Sequence, residues 1–264
     1  MENIKGSISI LTNSAVLIYL MKGVAFTLVI SVTAVLFGLV IGSVLALLRN
    51  YCNKGLARGL KWLATAYIEI FRNTPLLLWI FVCMIFCPCP GFLEQKMFGL
   101  SSAEVKLLFK TVVALVLFTS SVIAEIVRGG LNSVAHGQFE AGRSQGFNTV
   151  QIMWHIILPQ AYNNIIPTLL SQVITTVKDS SYLANVATIE LMARTKKLLS
   201  SAHRYNGLNT VNVSDVFVLF GFACLIYFVI NFTLSCVVRS IKNRRLKKAR
   251  QAQLARTLET ANGT

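Results

Sequence analysis

Acidic residues are scarce in this chain. Ten Asp and Glu stand against 25 Lys and Arg in 264 residues, and all charged residues together make up 13% of the sequence. A soluble domain of this length has the volume for a core but needs a charged surface, which this composition does not supply. Histidine is scarcer: His136, His155 and His203 are scattered, without the spacing of a zinc site. The six cysteines (Cys52, Cys83, Cys87, Cys89, Cys224 and Cys236) lie in or beside apolar runs, as small apolar filler does. Only Glu94 stands near Cys83, Cys87 and Cys89 as a further ligand type, so neither a metal site nor a disulfide framework is expected. No Gly-x-x-x-x-Gly-Lys-Ser/Thr loop occurs, so if ATP drives this protein another subunit must bind it. No internal repeat is visible, which removes support for an inverted-repeat transporter. No nucleophile, base and orienter stand together, so no catalytic residue is assigned. The first twenty-odd residues lack the basic start, short apolar stretch and cleavage site of a signal peptide, and the first span is expected to be retained.

Apolar residues fill the space that charge leaves. They make up 55% of the chain, and the mean hydropathy is +0.64. Residues 24–48 carry no charge, nor do 156–177 or 216–238. Each run is long enough for about one bilayer crossing. Two further spans are expected over about 60–88, which carries Glu69 and Arg72, and about 105–127. The fold class is therefore all-α: a polytopic membrane protein of about five transmembrane helices. Within the first span, Gly38, Gly42, Ser43 and Ala46 form a small-residue stripe suited to close helix approach.

Seven of the twelve residues 239–250 are Lys or Arg. Such a run can bind nucleic acid, but directly after an apolar span it fixes topology and touches anionic headgroups, so no nucleic-acid partner is expected. A basic cytoplasmic tail (241–264) then follows a transmembrane domain (1–240), and five spans place the N-terminus outside. Arg49, Lys54, Arg58 and Lys61 fall inside, and the loop 89–104 with Glu94 falls outside. The segment 179–212 would be outside although it holds Arg194, Lys196, Lys197 and Arg204. A short surface helix over 189–199 could accommodate those charges.

The most informative segment runs Gly137-Gln138-Phe139-Glu140-Ala141-Gly142-Arg143-Ser144-Gln145-Gly146 and continues to Leu158-Pro159. Phe139, Arg143 and Gly146 or Phe147 recur at helical spacing, so one face can bury apolar atoms while Glu140 projects a charge. Gly146 permits the positive φ that ends a short helix, and Pro159 fits the first turn of the next. In this segment the chain resembles the permease subunits of type I ABC importers, whose signature is Glu-Ala-Ala, three residues, Gly, nine residues, Ile, two residues, Leu-Pro. Glu140, Ala141 and Gly146 match, Leu158 and Pro159 follow at nearly the expected distance, and Gly142 replaces the second Ala. The replacement loosens an isolated helix by up to about 1 kcal/mol.

Other motifs resemble the polar amino acid branch of that family. Leu20-Met21-Lys22-Gly23-Val24-Ala25-Phe26-Thr27-Leu28 looks like its entry to the first span. Tyr67-Ile68-Glu69-Ile70-Phe71-Arg72-Asn73-Thr74-Pro75-Leu76-Leu77 looks like its second-span motif, with Asn73 where Gly is usual. Ala124-Glu125-Ile126-Val127-Arg128-Gly129-Gly130-Leu131 and Lys178-Asp179-Ser180-Ser181 match two more. The resemblance covers about 17–239. It implies an ATPase-coupling loop over about 129–158, carried by Glu140, Ala141, Gly142, Arg143, Gly146, Leu158 and Pro159. It further implies the partners: an ABC ATPase subunit, a second identical or homologous permease, an extracytoplasmic amino-acid-binding protein and the lipid of a cell membrane. The chain itself needs no cofactor, since the partner binds ATP.

Charge inside a membrane marks either a route or a structural pair. Glu69 and Arg72 are three residues apart and can pair on one face, as can Glu125 and Arg128. Glu69, Arg72, Lys178, Asp179, Ser180 and Ser181 are the candidate substrate path, since together they offer both signs of charge to a zwitterion. Thr119, Ser120 and Ser121 suit hydroxyls bonded to their own helix carbonyls. The expected function is the permease of an ATP-driven, binding-protein-dependent importer for polar amino acids working by alternating access. The rivals are a secondary transporter or channel acting alone, and an intramembrane enzyme using Glu125, His136 or a cysteine.

Overall fold

Each long charge-free run forms a helix in the computed structural model, which describes residues 2–262 apart from 53, 54, 56, 94, 97, 98, 187, 208 and 209. Side chains are described from Ile4 to Arg244 and at Lys247 and Gln251. The expectations placed on Lys54 and Glu94 lie outside the described residues. Among the described residues no strand is formed, and the chain is all-α.

The helices, in order, are α1 (Glu2–Thr12), α2 (Ser14–Tyr51), α3 (Ala57–Arg72), α4 (Leu76–Phe86), α5 (Ser102–Asn132), α6 (Gly137–Ser144), α7 (Thr149–Ile152), α8 (Leu158–Asp179), α9 (Leu191–Ser200) and α10 (Val213–Asn262). By length and composition, α2, α5 and the Val213–Arg244 part of α10 can each cross a membrane. Helix α8, at 22 residues, reaches about 33 Å. It is more polar than the other three and packs on α2, α5 and α10. Helix α10 runs without a break through the basic stretch 239–250.

The second span expected over 60–88 is not one straight helix. Helices α3 and α4 meet at a 111° bend. Pro75 has no N–H to donate and pushes the preceding residue out of helical conformation, so α3 ends at Arg72 and α4 restarts with Pro75 as its N-cap. The freed groups find local partners. Asn73 Nδ2 donates to the Glu69 carbonyl at 2.9 Å, Thr74 Oγ1 to the Ile70 carbonyl at 2.6 Å, and Trp79 Nε1 to Thr74 Oγ1 at 2.6 Å. Phe71 stacks on Trp79 across the corner, with ring centroids 4.1 Å apart.

Cross-helix contacts fix which helix ends lie together. Tyr19 near the start of α2, Glu104 in the first turn of α5 and Arg194 of α9 line one pocket. At the same end Ser7 of α1 donates to Asp215 Oδ1 in the first turn of α10 at 2.6 Å. At the other end Arg49 of α2 meets Glu125 of α5, and Gln160 at the start of α8 meets Gln138 of α6. Helices α2, α5 and α10 therefore run in one direction, and α4 and α8 return.

Close packing of α2 on α5 forms the centre of the bundle. A Cβ at Gly42 would stand 2.7 Å from the Ser120 carbonyl oxygen and 2.9 Å from the Ala124 nitrogen, so the small-residue stripe is a backbone-to-backbone contact. Ile30, Ala34, Ala114 and Leu115 continue the seam, joined by Leu76 and Ile80 of α4. In lipid such seams are held by van der Waals packing rather than by exclusion of water.

Candidate functional site

The loop between α5 and α8 is built from three short helical pieces. Helix α6 carries Phe139 and Gly142 toward the bundle, with Glu140, Ala141, Arg143 and Ser144 exposed. Phe139 packs near Tyr51, ring centroids 6.4 Å apart. Arg143 and Phe147, grouped with the buried face by their spacing, are in fact exposed. The inward face pairs Phe139 with Gly142, three residues apart.

Gly142 has a packing reason that propensity alone does not reveal. A Cβ there would lie 2.8 Å from Ile152 Cγ1 and 3.1 Å from Ile156 Cδ1. Glycine thus lets α6 lie directly on α7 and the π-helical turn Met153–Ile157. Gly146 has φ +80°, as its position at a helix end requires, and the Phe147 N–H donates to the Gly142 carbonyl at 3.1 Å. Helix α7 starts from a reciprocal cap. The Gln151 N–H donates to Asn148 Oδ1, and the Asn148 N–H donates to Gln151 Oε1, both at 2.9 Å. Pro159 occupies the first turn of α8. Glu140 lies 3.2 Å from His136 Nδ1, and its side chain is 72% exposed. Beside it Asn50, Tyr51, Ser133, Phe139 and Arg143 border an open groove of 830 Å³.

Behind this loop the charged residues gather in one cluster. Glu69 and Arg72 do not form the pair that their spacing suggests. Arg49 donates to Glu69 Oε1 at 2.9 Å and to Glu125 Oε1 at 2.7 Å, while Arg72 approaches Glu125 Oε2 at 3.6 Å. Arg128 completes the expected pair with Glu125 at 2.8 Å. Three guanidiniums thus share two carboxylates, and α2, α3 and α5 are tied together. Arg49 is the member that local spacing could not reveal, because its partners lie 20 and 76 residues away.

Lys178 and Asp179 end α8, and Lys178 is exposed. Ser180 and Ser181 open a 3-10 turn, Ser180–Val186, and donate their hydroxyls to the Val177 and Lys178 carbonyls at 2.8 and 2.7 Å. Ser180 is fully buried. The structure does not bring Glu69 and Arg72 together with the Lys178 group, since the two sets lie toward opposite ends of the bundle. Ser120 and Ser121 bond to their own helix carbonyls as anticipated, but Thr119 does not, and its buried hydroxyl has no hydrogen-bond partner among the described residues.

The helix expected over 189–199 forms as α9, but it is half embedded rather than a surface helix. Leu191, Ala193, Thr195 and Leu198 are buried. Arg194 donates to the Ile189 and Tyr19 carbonyls and lies 4.5 Å from the centre of the Tyr19 ring, which explains how this cation fits among apolar helices. Sequence reading missed Glu190, which is fully buried. It caps α9 by accepting from the Met192 and Ala193 N–H groups at 2.7 and 2.6 Å, and it accepts from Tyr227 Oη at 3.1 Å. An acidic residue directly before a helical pattern was the available signal.

The family profile for a "binding-protein-dependent transport system inner membrane component" matches residues 38–247, which include the whole α6–α7 loop and α8. The chain belongs to this family of membrane permeases. Its members are transport components rather than enzymes. A probable glutamine ABC transporter permease of Bacillus subtilis, GlnM, is 39% identical over 229 residues, covering 87% of this chain and 94% of that protein. The glutamate/aspartate import permease GltK of Escherichia coli is 34% identical over 231 residues, covering 86% and 93%. Among solved structures, an amino acid ABC transporter crystallised with histidines is 28% identical with a TM-score of 0.67, covering 86% of this chain and 94% of its own. The inward-facing MetNI methionine ABC transporter, at 23% identity and a TM-score of 0.61, shares the fold.

Proposed function

We propose that this permease forms the membrane path of an ATP-driven importer for polar amino acids, glutamine or glutamate foremost. The observation that carries the reading is the α6 platform. It is a short helix held rigidly from behind by Gly142 and Phe139, and it presents Glu140, Ala141 and Arg143 at the end of the bundle, beside an open groove. A partner that closes on this platform can move α8 through α7 and the π-helical turn on which α6 lies, since that turn runs straight into Leu158 and Pro159. The relatives named for glutamine and for glutamate/aspartate support the choice of cargo.

In this reading a separate ABC ATPase binds ATP and docks on α6, and the permease needs no cofactor of its own. A second permease chain, identical or homologous, faces this one, and an extracytoplasmic binding protein delivers the amino acid. ATP closes the ATPase pair, and rigid-body rocking of the spans alternates access. The α6 end and the basic tail lie in the cytoplasm, and the N-terminus lies outside. Lys178 and Asp179 meet the substrate at the outer end of α8, while Glu69 and Arg72 belong to the inner cluster.

The experiment is co-purification of the chain with its ATPase, followed by ATP hydrolysis with and without loaded binding protein. Loaded binding protein stimulates hydrolysis by the parent complex. Substituting Glu140→Lys abolishes the stimulation while leaving the permease in the membrane. Stimulation that survives the substitution would contradict this assignment of α6.

A further inference from the structure

Arg194, Lys196, Lys197 and Arg204 stand at the end of the bundle where α10 begins, whereas the basic stretch 239–250 leaves from the other end. A bias of Lys and Arg toward one side sets topology, so it accounts for one of these groups and leaves the other unexplained. Three of the four gather at one cavity. Arg194, Lys196 and Lys197 line a hollow of 520 Å³ together with Tyr19 of α2 and Glu104 of α5. Glu104 is turned to its own helix start, where its Oε2 accepts from the Ser101 N–H at 2.9 Å and from Ser101 Oγ at 2.8 Å. The cations keep donors to spare. Arg194 places two of the five N–H groups of a guanidinium on the Ile189 and Tyr19 carbonyls. Lys196 and Lys197 are exposed, and Lys196 spends one of its three donors on Asn185 Oδ1 at 3.3 Å. A second hollow, of 270 Å³, adjoins at Tyr19 and Lys197 and extends to Ser201 and Tyr205. The site is polar, roomy and net positive, which suits a phosphate.

An apolar cleft continues from this site along α2. Tyr19, Phe26, Ile30 and Thr33 follow one another at intervals of seven, four and three residues, within an arc of about 60°. The Arg194 guanidinium lies at the head of the stripe, 4.5 Å from the centre of the Tyr19 ring and 5.7 Å from that of Phe26. Farther along, Val29, Ile30 and Thr33 form a cleft of 250 Å³ with Val105, Leu108 and Val112 of α5. Val29 is 58% exposed, so the cleft opens to the lipid side. From Tyr19 to Val29 is about 15 Å along the helix, the depth of one leaflet's apolar layer. A cationic hollow and an apolar cleft at that separation, on one face, match the two ends of a phospholipid.

We propose that this end of the bundle binds an anionic phospholipid, with its phosphate on Arg194, Lys196 and Lys197 and an acyl chain in the cleft between α2 and α5. Three cations against one carboxylate favour an anionic head group over a zwitterionic one. The bound lipid bridges α9 to α2 and α5, and it gives the cations at this end a partner that topology does not supply.

The test uses the assembled importer in phosphatidylcholine vesicles and needs no transport, so its outcome is independent of the cargo reading above. A trace of phosphatidylglycerol or of phosphatidylcholine, each with a diazirine in its acyl chain, is photoactivated, and labelled peptides are measured by mass spectrometry. Labelling of residues 105–112, relative to 217–228 on α10, is expected to be about tenfold higher with the anionic lipid. The double variant K196Q/K197Q should bring the two lipids level. T33W, which fills the cleft and leaves both lysines in place, should also remove the excess. Added inorganic phosphate should leave it unchanged. Equal labelling by the two lipids in the parent would overturn the proposal. So would an excess that survives K196Q/K197Q or T33W, because the basic tail would then be gathering the lipid. Loss of the excess to inorganic phosphate would assign the cavity to a free anion and overturn the proposal as well.

Discussion

Arg49 bridges Glu69 and Glu125, with one guanidinium nitrogen on each carboxylate, at 2.9 and 2.7 Å. One side chain at the end of α2 thereby fixes the α3–α4 corner against α5. The side chains of Arg49 and Glu125 are 21% and 16% exposed, so solvent screens the contact only in part.

The first prediction concerns this bridge. Substituting Glu125→Gln leaves Arg49, Arg72 and Arg128 facing one carboxylate fewer. The loss should be about 1.5–3 kcal/mol, the range for hydrogen bonds to charged groups. Thermal unfolding of the detergent-solubilised complex checks it, with Arg49→Met and the double variant completing a cycle. Additive single effects would show that the two side chains do not interact.

The second prediction concerns the seam between α2 and α5. Substituting Gly42→Ala places a methyl group against backbone atoms of Ser120 and Ala124, which cannot rotate away. The helices must separate, at about 1–3 kcal/mol. A lowered unfolding temperature is expected, whereas Gly59→Ala, which meets nothing within 4 Å, should leave it unchanged. Equal effects at the two positions would contradict the close-approach account.

How far the sequence could be read depended on the range of the forces involved. Runs without charge located α2, α8 and α10, because a long uncharged run records its own environment. Gly38 and Gly42 indicated the close packing of α2 for the same local reason. The corner at Pro75 was harder to see, because apolar residues continue across it and hide a backbone break inside an unbroken hydropathy signal. Arg49 was read as a marker of topology alone, since its partners are distant in sequence. Glu190 was passed over, because its burial depends on α9 folding back against Tyr227 of α10. Gly142 was recognised as a departure from the family motif, but its cause, contact with Ile152 and Ile156, exists only in three dimensions.

The third prediction returns to the coupling platform. Substituting Gly146→Pro imposes φ near −65° where the backbone holds +80°. The turn between α6 and α7 should break, and ATP hydrolysis should become independent of loaded binding protein. The permease should still insert in the membrane, as a membrane-fraction blot would show. Normal coupling in this variant would mean that the conformation of the α6–α7 turn is irrelevant to function.

The fourth prediction separates charge from hydroxyl at the Asp179 end of α8. Asp179→Asn removes a carboxylate next to the exposed Lys178, so the KM for uptake should change by about tenfold, the equivalent of roughly 1.4 kcal/mol. Ser180→Ala removes a buried hydroxyl whose donor bond is to the Val177 carbonyl, and KM should stay within about twofold while stability falls by about 1 kcal/mol. Radiolabelled uptake and a melting curve on each variant check both halves. A KM that shifts only in Ser180→Ala would reverse the assignment.

The central claim is that this permease works only with an ATPase and a binding protein, and one measurement reaches it directly. The purified complex is reconstituted in proteoliposomes with ATP enclosed, and radiolabelled glutamine and glutamate are offered with and without the binding protein. The account predicts accumulation against a gradient only when ATP and binding protein are both present. Accumulation by the permease alone, driven by an ion gradient and indifferent to ATP, would contradict it.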